Sequence, residues 1–304
     1  MELPFQGPIK SSLLAARWYA HALERDSFPG VLVLCYHGIR PTGRRTADIT
    51  FANLHVETEV FDEHCRVLAE TCHPISLDTW REARSGKAVL PARPVVVTFD
   101  DGYRSVFELA RPILQRHQIP ATVFVCSNPV REQQLFWFDA VARRRGEAAV
   151  EESRTLPHAG WRDVAAACAA RADAADPLAP MTPDQVRQLA DEGFTIGVHT
   201  ASHAPLITLP APAQRDELES CRDAIHAWTG RSVTTLAYPW GKRDADYSGE
   251  TVTVAAAAGF DEAFTTAPAF SGPGEAPLER SRFVVLSEVS APELAHRITY
   301  TWTR

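Results

Sequence analysis

Short apolar segments alternate with longer segments of helical period along most of this sequence. Seven apolar segments rich in β-branched residues predict strands, at residues 31–36, 95–99, 121–125, 194–198, 235–238, 262–265 and 283–286. Strands that are apolar on both faces are typical of a parallel sheet or of a barrel covered by helices. The hydrophobic pattern therefore predicts an α/β fold.

Segments of helical period lie between the predicted strands, at residues 61–72, 106–117, 182–192, 212–229 and 251–258. The clearest helix start has Thr182 as a cap, Pro183 at the first helical position and Gln185 completing a capping box. Residues 148–180 are rich in Ala, Arg and Asp, and we expect them to form an insertion outside the core. No repeat or polar linker divides the chain, so we predict one domain.

Composition argues against several classes of protein. With 304 residues, 45% of them hydrophobic, the chain can bury a full core. A formal net charge of −7 provides no basic surface for nucleic acid, and we expect no nucleic-acid partner. The six cysteines include no C-x-x-C pair, and we predict that they are reduced and buried.

The N-terminal segment predicts a surface helix over residues 12–25. Its apolar run is short and is soon interrupted by Arg17, His21 and Glu24. This pattern fits neither a signal peptide nor a membrane span. We therefore expect no transmembrane segment and a cytoplasmic location.

Two adjacent carboxylates, Asp100 and Asp101, directly follow the strand predicted at 95–99 and precede Gly102. Active sites in parallel α/β folds are built at the C-terminal ends of strands. Neighbouring side chains there point in different directions, so one carboxylate can bind a metal while the other receives a proton. By itself the motif favours the capped start of a helix over a catalytic site.

Two histidines, His199 and His203, follow the strand predicted at 194–198. Imidazoles four residues apart in a helical turn lie on one face and can bind a single cation. Two nitrogens and one carboxylate oxygen form a ligand set that leaves positions open on zinc or another divalent ion. The pair of histidines and the pair of aspartates together predict a metal site.

These motifs resemble those of the polysaccharide deacetylases, carbohydrate esterase family 4. The resemblance rests on TFDDG at 98–102, HTASH at 199–203 and AYPWG at 237–241, and it extends over about 31–286. It implies a distorted (β/α)7 barrel in a single domain, with the site at its C-terminal mouth. The implied parts of the chain are an N-terminal helical extension at 1–30, a barrel core at 31–286 with the insertion near 148–180, and a C-terminal helix at 287–304.

The resemblance also implies roles for the first two motifs. Asp100 corresponds to the general base. Asp101, His199 and His203 correspond to the ligands of a divalent metal, which we expect to be Zn²⁺, with Co²⁺, Ni²⁺ or Mn²⁺ as alternatives.

For the third motif, the resemblance implies that Tyr238, Pro239 and Trp240 bind substrate. The backbone N–H of Trp240 corresponds to the donor that stabilises the oxyanion. Without the other motifs, this segment is equally typical of a strand that ends in a Pro-Gly turn with a packed aromatic residue.

Two features depart from the usual pattern of the family, and the first is a missing arginine. The family's arginine precedes the third motif and holds the base, but residues 233–237 read Val-Thr-Thr-Leu-Ala. Arg280 or Arg282, just before the last predicted strand, can reach the mouth from another side. We take Arg280 as the candidate, although an arginine at this place is also typical of a solvated surface.

The second departure concerns the general acid, usually a histidine near the C-terminus. The only histidine after Gly241 is His296, in a helix-like segment that favours a surface position. Tyr36-His37 instead ends the first predicted strand, and a strand that closes a barrel occupies the same place whether it comes first or last. The chain thus resembles the family's circularly permuted members, which implies that His37 protonates the leaving amine.

The function predicted is metal-dependent de-N-acylation, most simply deacetylation, of an N-acetylated sugar in a polysaccharide, glycolipid or related glycoconjugate. One alternative is a deformylase or another small-amide hydrolase on the same fold. Another is a catalytically silent carbohydrate-binding protein, against which the intact Asp and His pairs argue. The aromatic cluster at 133–138 either stacks on sugar faces or covers the side of the barrel.

Overall fold

The computed structural model describes residues 6–15, 17–23, 27–44, 46–173 and 175–302. In these residues the strands are β1 Leu32–Tyr36, β2 Gly38–Arg40, β3 His55–Glu57, β4 His73–Pro74, β5 Pro94–Phe99, β6 Ala121–Val125, β7 Thr195–Val198, β8 Thr235–Ala237, β9 Glu262–Phe264 and β10 Phe283–Val284. The helices are α1 Gln6–Ala15, α2 Trp18–Leu23, α3 Thr58–Thr71, α4 Leu77–Arg84, α5 Arg111–Arg116, α6 Ser127–Glu132, α7 Trp137–Arg145, α8 Ala148–Arg154, α9 His158–Cys168, α10 Pro183–Asp191, α11 Ala211–Thr229, α12 Gly249–Ala257 and α13 Ala291–His296.

Seven of the strands form a curled parallel sheet in the order β10-β1-β5-β6-β7-β8-β9. A parallel bridge between Phe264 and Arg280 joins the end of β9 to the chain just before β10 and brings the two edges of the sheet together. β4 adds to the start of β5, and β2 pairs with β3 as a separate ribbon. The predicted α/β fold, a distorted (β/α)7 barrel in one domain, is confirmed.

Burial on both faces explains why the central strands are continuously apolar. Every residue of β1, β5 and β6 is buried, because helices cover the outside of the sheet and side chains fill its interior. α10 and α11 pack on β7 and on each other. At the start of α10, Thr182 and Gln185 form the predicted capping box, with each side chain bonded to the other's backbone N–H.

The structure differs from the prediction in the segment 148–180, which does not lie outside the core. α8 and α9 pack against α7, and Val150, Trp161 and Cys168 are buried in the same apolar cluster as the strands. Their apolar residues are isolated among Ala, Arg and Asp, so the sequence gives no clear helical stripe. Residue 174 of this segment lies outside the described residues.

The two ends of the chain pack together. The single helix predicted at 12–25 forms α1 and α2 instead, and residues 16 and 24–25 lie outside the described part. α13 continues into a π-helical turn, Arg297–Thr301, and packs on α1 and α3; residues 303–304 of this predicted C-terminal helix are also outside the description. None of the described helices is both long and apolar enough to cross a membrane. All six cysteines are free and buried.

Candidate active site

The C-terminal ends of the barrel strands bring the sequence motifs to one mouth. His37 directly follows β1, the pair Asp100 and Asp101 follows β5, His199 follows β7, and Trp240 lies three residues after β8. These residues, with His203, line a single cavity of about 150 Å³. The parallel topology therefore gathers motifs that are up to about 200 residues apart in sequence.

Asp101, His199 and His203 form a buried cluster at the bottom of this cavity. One ligand atom from each lies within 4.8 Å of the other two. Nε2 of His199 and Nε2 of His203 lie 3.4 and 3.2 Å from Oδ1 of Asp101, and that oxygen has no hydrogen-bond partner among the described residues. Two imidazole nitrogens converging on an unpaired buried carboxylate oxygen form a donor set that fits a divalent cation.

Neighbouring groups fix the orientation of both histidines. Nδ1 of His199 donates to the carbonyl of Ala237 at 2.8 Å, which leaves the lone pair of Nε2 directed at the cluster. The carbonyl of His203 accepts from the indole of Trp137 at 2.9 Å, and the ring of His203 lies edge-on to Trp240 with centroids 4.4 Å apart. A hydrogen bond therefore orients the His199 ring, whereas packing against Trp240 positions the His203 ring.

The protonation of the cluster follows from its charges. Burial would raise the pKa of Asp101, but the two adjacent imidazoles outweigh burial and hold it well below the usual range. Burial lowers the pKa of His203. For His199, burial acts in the same direction, but Asp100 and Asp101 outweigh it and raise the pKa. Binding of a cation at this cluster therefore competes with protonation of His199.

Asp100 is paired with an arginine that directly precedes the last strand, β10. Both oxygens of Asp100 accept from the guanidinium of Arg282 at 2.7 Å, and both side chains are buried. The thiol of Cys35 lies 3.4 Å from Oδ2 of the same carboxylate. Burial would raise the pKa of Asp100, but the charge of Arg282 lowers it below its ordinary value. Asp100 is therefore ionised at neutral pH and can accept a proton.

Arg280, the candidate chosen from the sequence, does not reach Asp100. It lies one layer lower in the barrel, where Nη1 donates to the carbonyls of Gly272 and Glu275 at 3.0 and 3.2 Å and Nε lies 3.7 Å from Glu262 at the start of β9. Residues two apart on a strand share a face but are displaced by about 7 Å along it. Arg282 therefore meets the carboxylate at the mouth, and the sequence-based choice of Arg280 is wrong.

His37 lies beside Asp100. Its imidazole lines the cavity, and one ligand atom each of His37, Cys35 and Asp100 lie within 4.8 Å of one another. Nδ1 of His37 is buried without a hydrogen-bond partner among the described residues. Burial lowers the pKa of His37, although Asp101 and Asp100 oppose the shift. His296, the alternative, packs between Tyr19 and Tyr300 instead and does not line the cavity.

The backbone at the mouth is strained at several motif positions. Left-handed φ angles of 71°, 67°, 58° and 56° occur at Asp101, Thr200, His203 and Trp240. Each such conformation costs a non-glycine residue about 1 kcal/mol or more and persists only where the surroundings impose it. The turn after Asp101 also requires Gly102, whose φ is 96° and where a Cβ would lie 3.2 Å from the side chain of Val125.

In the third motif, only Trp240 lines the cavity. Its ring is half-buried, and its backbone N–H takes part in none of the hydrogen bonds between described residues. Tyr238 is fully buried, stacks on Tyr247 at 4.2 Å and donates to the carbonyl of Leu278, so its predicted contact with substrate is wrong. Pro239 is also buried and does not line the cavity; its carbonyl accepts from the N–H of Gly241.

The upper walls of the cavity consist of residues that the sequence did not indicate. Phe51, Leu54, Val150 and Glu151 line it, together with Phe138 from the aromatic cluster at 133–138. Leu135, Phe136 and Trp137 of that cluster are buried in the core, so the cluster mainly covers the barrel. No sequence motif marks the other wall residues, because they come from an irregular loop and from the insertion.

Curated proteins similar to this chain include deacetylases. A segment of 113 residues is 34% identical to poly-β-1,6-N-acetyl-D-glucosamine N-deacetylase of Escherichia coli K12, covering 37% of this chain and 15% of that protein. A segment of 174 residues is 21% identical to the putative polysaccharide deacetylase YxkH of Bacillus subtilis, covering 57% of this chain and 45% of that protein. This chain therefore matches less than half the length of either relative.

Two solved structures illustrate the similarity of the fold. The Streptococcus pyogenes deacetylase PplD in complex with acetate has a TM-score of 0.66 at 20% identity, covering 90% of this chain and 99% of that one. IcaB from Ammonifex degensii has a TM-score of 0.65 at 21% identity, covering 90% and 98% of the two chains. At this level of identity the likeness establishes the fold.

The family itself follows from the sequence. The polysaccharide deacetylase family model matches residues 87–263, more than half of the chain. The matched segment contains Asp100, Asp101, His199, His203 and Trp240, whereas His37 and Arg282 lie outside it. On this match, the chain belongs to the polysaccharide deacetylase family.

Proposed function

We propose that this protein is a metal-dependent N-deacetylase that removes the acetyl group from an N-acetylated sugar in a polysaccharide, glycolipid or related glycoconjugate. The observation that carries the proposal is the buried group of Asp101, His199 and His203 beside a carboxylate, Asp100, that Arg282 keeps ionised. The E. coli relative is named for deacetylation of an N-acetylglucosamine polymer, which supports the choice of substrate class.

The metal site would be formed by Asp101, His199 and His203. A divalent ion held by these three residues would lower the pKa of water and polarise the acyl carbonyl. Two nitrogens and one oxygen are compatible with Zn²⁺, which is our first choice, and with Co²⁺, Ni²⁺ or Mn²⁺. Asp100 and the three candidate ligands are all buried, which strengthens the electrostatic interactions among them.

Asp100 and His37 would move the protons. Asp100 is ionised and accepts a proton from the water molecule that attacks the acyl carbon. His37 donates a proton to the sugar nitrogen as the carbon–nitrogen bond breaks, since an amine leaves poorly as an anion. The nearby carboxylates Asp100 and Asp101 favour the protonated form of His37 against the effect of burial.

The backbone of Trp240 would stabilise the developing negative charge. Its N–H is not used by another described residue, and its left-handed φ of 56° is maintained by the turn of Pro239 and Gly241. A Cβ at Gly241 would lie 2.8 Å from the backbone nitrogen of Thr266, so only glycine fits this turn. A preorganised donor of this kind typically contributes about 3 kcal/mol to transition-state stabilisation.

A direct test is release of acetate or formate from a panel of N-acyl sugars by metal-stripped and Zn²⁺-reloaded protein. We expect acetate release that depends on the added metal. Release of formate alone would instead assign the deformylase alternative. Zinc-loaded protein that binds sugars without releasing either acid would support a silent carbohydrate-binding protein.

A further inference from the structure

The strap, which we define as residues 147–154, lies over the candidate active-site cavity. It consists of Glu147 and helix α8, and its central residues Val150 and Glu151 line the cavity opposite the metal cluster. Val150 is buried in the core, whereas the Glu151 side chain is 60% exposed at the edge of the cavity. The strap therefore forms the wall through which a long substrate would have to extend.

Both ends of the strap are attached to other parts of the mouth. At the first end, the carboxylate of Glu147 accepts from the backbone N–H of Phe51 at 2.6 Å, and Phe51 itself lines the cavity. At the second end, Arg154 forms an ion pair with the buried Asp246. The strap thus bridges the loop at Phe51 and the loop that follows β8.

The attachment at Arg154 also involves the third motif. The Arg154 guanidinium lies over the Trp240 ring, 5.5 Å from its centroid, and Nε donates to Glu151 at 2.7 Å. Asp246 also accepts from the backbone N–H of Lys242 at 2.8 Å. Because the carboxylate of Asp246 is buried and has two donors, this end is more firmly held than an exposed ion pair.

The size of the cavity sets a limit on what fits beneath the strap. Its volume of about 150 Å³ lies below the ~300 Å³ lower limit for pockets of drug-sized ligands. Phe51, Leu54 and Phe138 close the walls beside the strap. A space of this size does not hold more than one sugar residue at a time.

We infer that the strap makes this protein selective for a terminal N-acyl sugar, either at the end of a glycan chain or on a small glycoconjugate. An internal residue has a glycosidic bond on each side and needs two exits from the cavity, whereas a terminal residue needs one. The strap, tied down at Glu147 and at Arg154, blocks the second exit. This inference rests on the proposed deacetylase function and narrows its substrate class.

The first experiment maps the acetyl groups removed from a linear pentamer of N-acetylglucosamine by mass spectrometry of the products. The zinc-loaded protein is expected to deacetylate a terminal residue. Glu147→Ala frees the strap at the end that does not touch Trp240 and should raise the ratio of internal to terminal deacetylation about tenfold. Arg187→Ala, which removes an exposed arginine of α10, is the matched control and should leave the ratio unchanged.

Internal deacetylation by the unmodified protein at a rate equal to terminal deacetylation would overturn the inference. So would a ratio that Glu147→Ala leaves unchanged. Arg154→Ala is a second variant, which frees the other end of the strap. This variant also loses the contact with Trp240, so only its ratio of internal to terminal deacetylation is compared with that of the unmodified protein, and not its overall rate.

The second experiment measures access to the cavity without catalysis. Leu54→Cys places a thiol in the wall of the cavity, and all six native cysteines are buried. Iodoacetamide should label this thiol, whereas a maleimide attached to a dextran should react only when Glu147→Ala is also present. Equal labelling by both reagents with the strap intact would overturn the inference. If no sugar released acetate but the labelling still depended on the size of the reagent, the proposed function would be rejected, whereas the limit that the strap places on access to the cavity would stand.

Discussion

At the scale of single residues, the charge of Asp100 depends on an arginine enclosed by the barrel. The Arg282 guanidinium lies 5.6 and 5.8 Å from the ring centroids of Phe124 and Phe264, and it donates to Thr98 as well as to Asp100. Removing two charges from water is costly, so such a pair is weak evidence for stability by itself. Its effect here is to keep a fully buried carboxylate ionised.

Replacement of this arginine should therefore change both stability and pH dependence. Arg282→Met leaves Asp100 as an uncompensated buried charge and should lower the free energy of unfolding by about 3–5 kcal/mol, measured by urea denaturation. Arg282→Lys keeps a positive charge but loses the two-point contact, so the pKa of Asp100 rises. The acid limb of the pH–kcat/KM profile should then move to higher pH.

Arg280→Lys is the control for this prediction, since Arg280 is also buried but contacts Glu262 and carbonyl groups lower in the barrel. Its acid limb should stay in place. If both lysine variants moved the limb equally, the specific role of Arg282 would be excluded.

The role of Asp100 as base gives a second prediction. Asp100→Asn preserves the shape of the side chain but cannot accept the proton, so kcat should fall by at least about 10²–10⁴-fold. The metal content, measured by elemental analysis, should remain as in the unmodified protein because Asp100 is not in the ligand group. Near-normal turnover by Asp100→Asn would show that Asp100 is not the base.

At the scale of elements, one buried carboxyl group connects three segments around the mouth. Asp139 in α7 accepts from the hydroxyls of Thr50 and Tyr103, which lie in the loop before β3 and just after β5. Burial raises the pKa of Asp139 to about 7. The connection between α7 and the loop of Phe51 therefore includes a group that ionises near neutral pH.

Asp139 should make stability depend on pH. Its folded pKa of about 7 exceeds the unfolded value of 3.8, so its stabilising contribution is complete below pH 3.8 and is lost as pH rises through 7. Asp139→Asn cannot ionise. The free energy of unfolding of this variant minus that of the unmodified protein should be larger at pH 8 than at pH 5, by up to about 2–3 kcal/mol. An equal difference at both pH values would contradict the shifted pKa.

At the scale of the whole molecule, the site is complete only when the barrel closes. β1, which precedes His37, lies between β5 and β10, while Arg282 comes from the chain just before β10. The candidate metal ligands Asp101, His199 and His203 follow the ends of β5 and β7. Because these three residues meet only in the folded barrel, we expect a metal that binds them to stabilise the folded state.

Metal binding should accordingly raise the melting temperature. At a hundredfold excess of Zn²⁺ over its dissociation constant, the gain is about 2.7 kcal/mol, which corresponds to a rise in Tm of about 4 °C for a chain of this length. His203→Ala should lose most of this rise and of the bound metal. His158→Ala, at the half-buried start of α9 and outside the group of candidate ligands, should keep both. A melting temperature of the unmodified protein that does not respond to any divalent ion would contradict the metal site.

Much of the fold and the centre of the site could be predicted because their signals are local in sequence. The seven strands of the ring were predicted to within two residues at each end, as continuous burial gives continuous apolar runs. Asp100, Asp101, His199 and His203 directly follow or lie close to such strands, and parallel topology brings strand ends together. Neither their roles nor those of His37 and Trp240 are established by position alone, and the circular permutation likewise stays a prediction.

Tertiary structure decided the features that depend on depth in the barrel and on contacts between distant segments. The sequence cannot distinguish Arg280 from Arg282. The two arginines are two positions apart, so their side chains point to the same side of an extended chain and differ only in their depth within the barrel. The sequence cannot place Tyr238 in the core or Val150 over the cavity, since neither position follows a periodic pattern. The sequence by itself determined the chemistry at the strand ends; the closed barrel decided which arginine serves Asp100 and what covers the site.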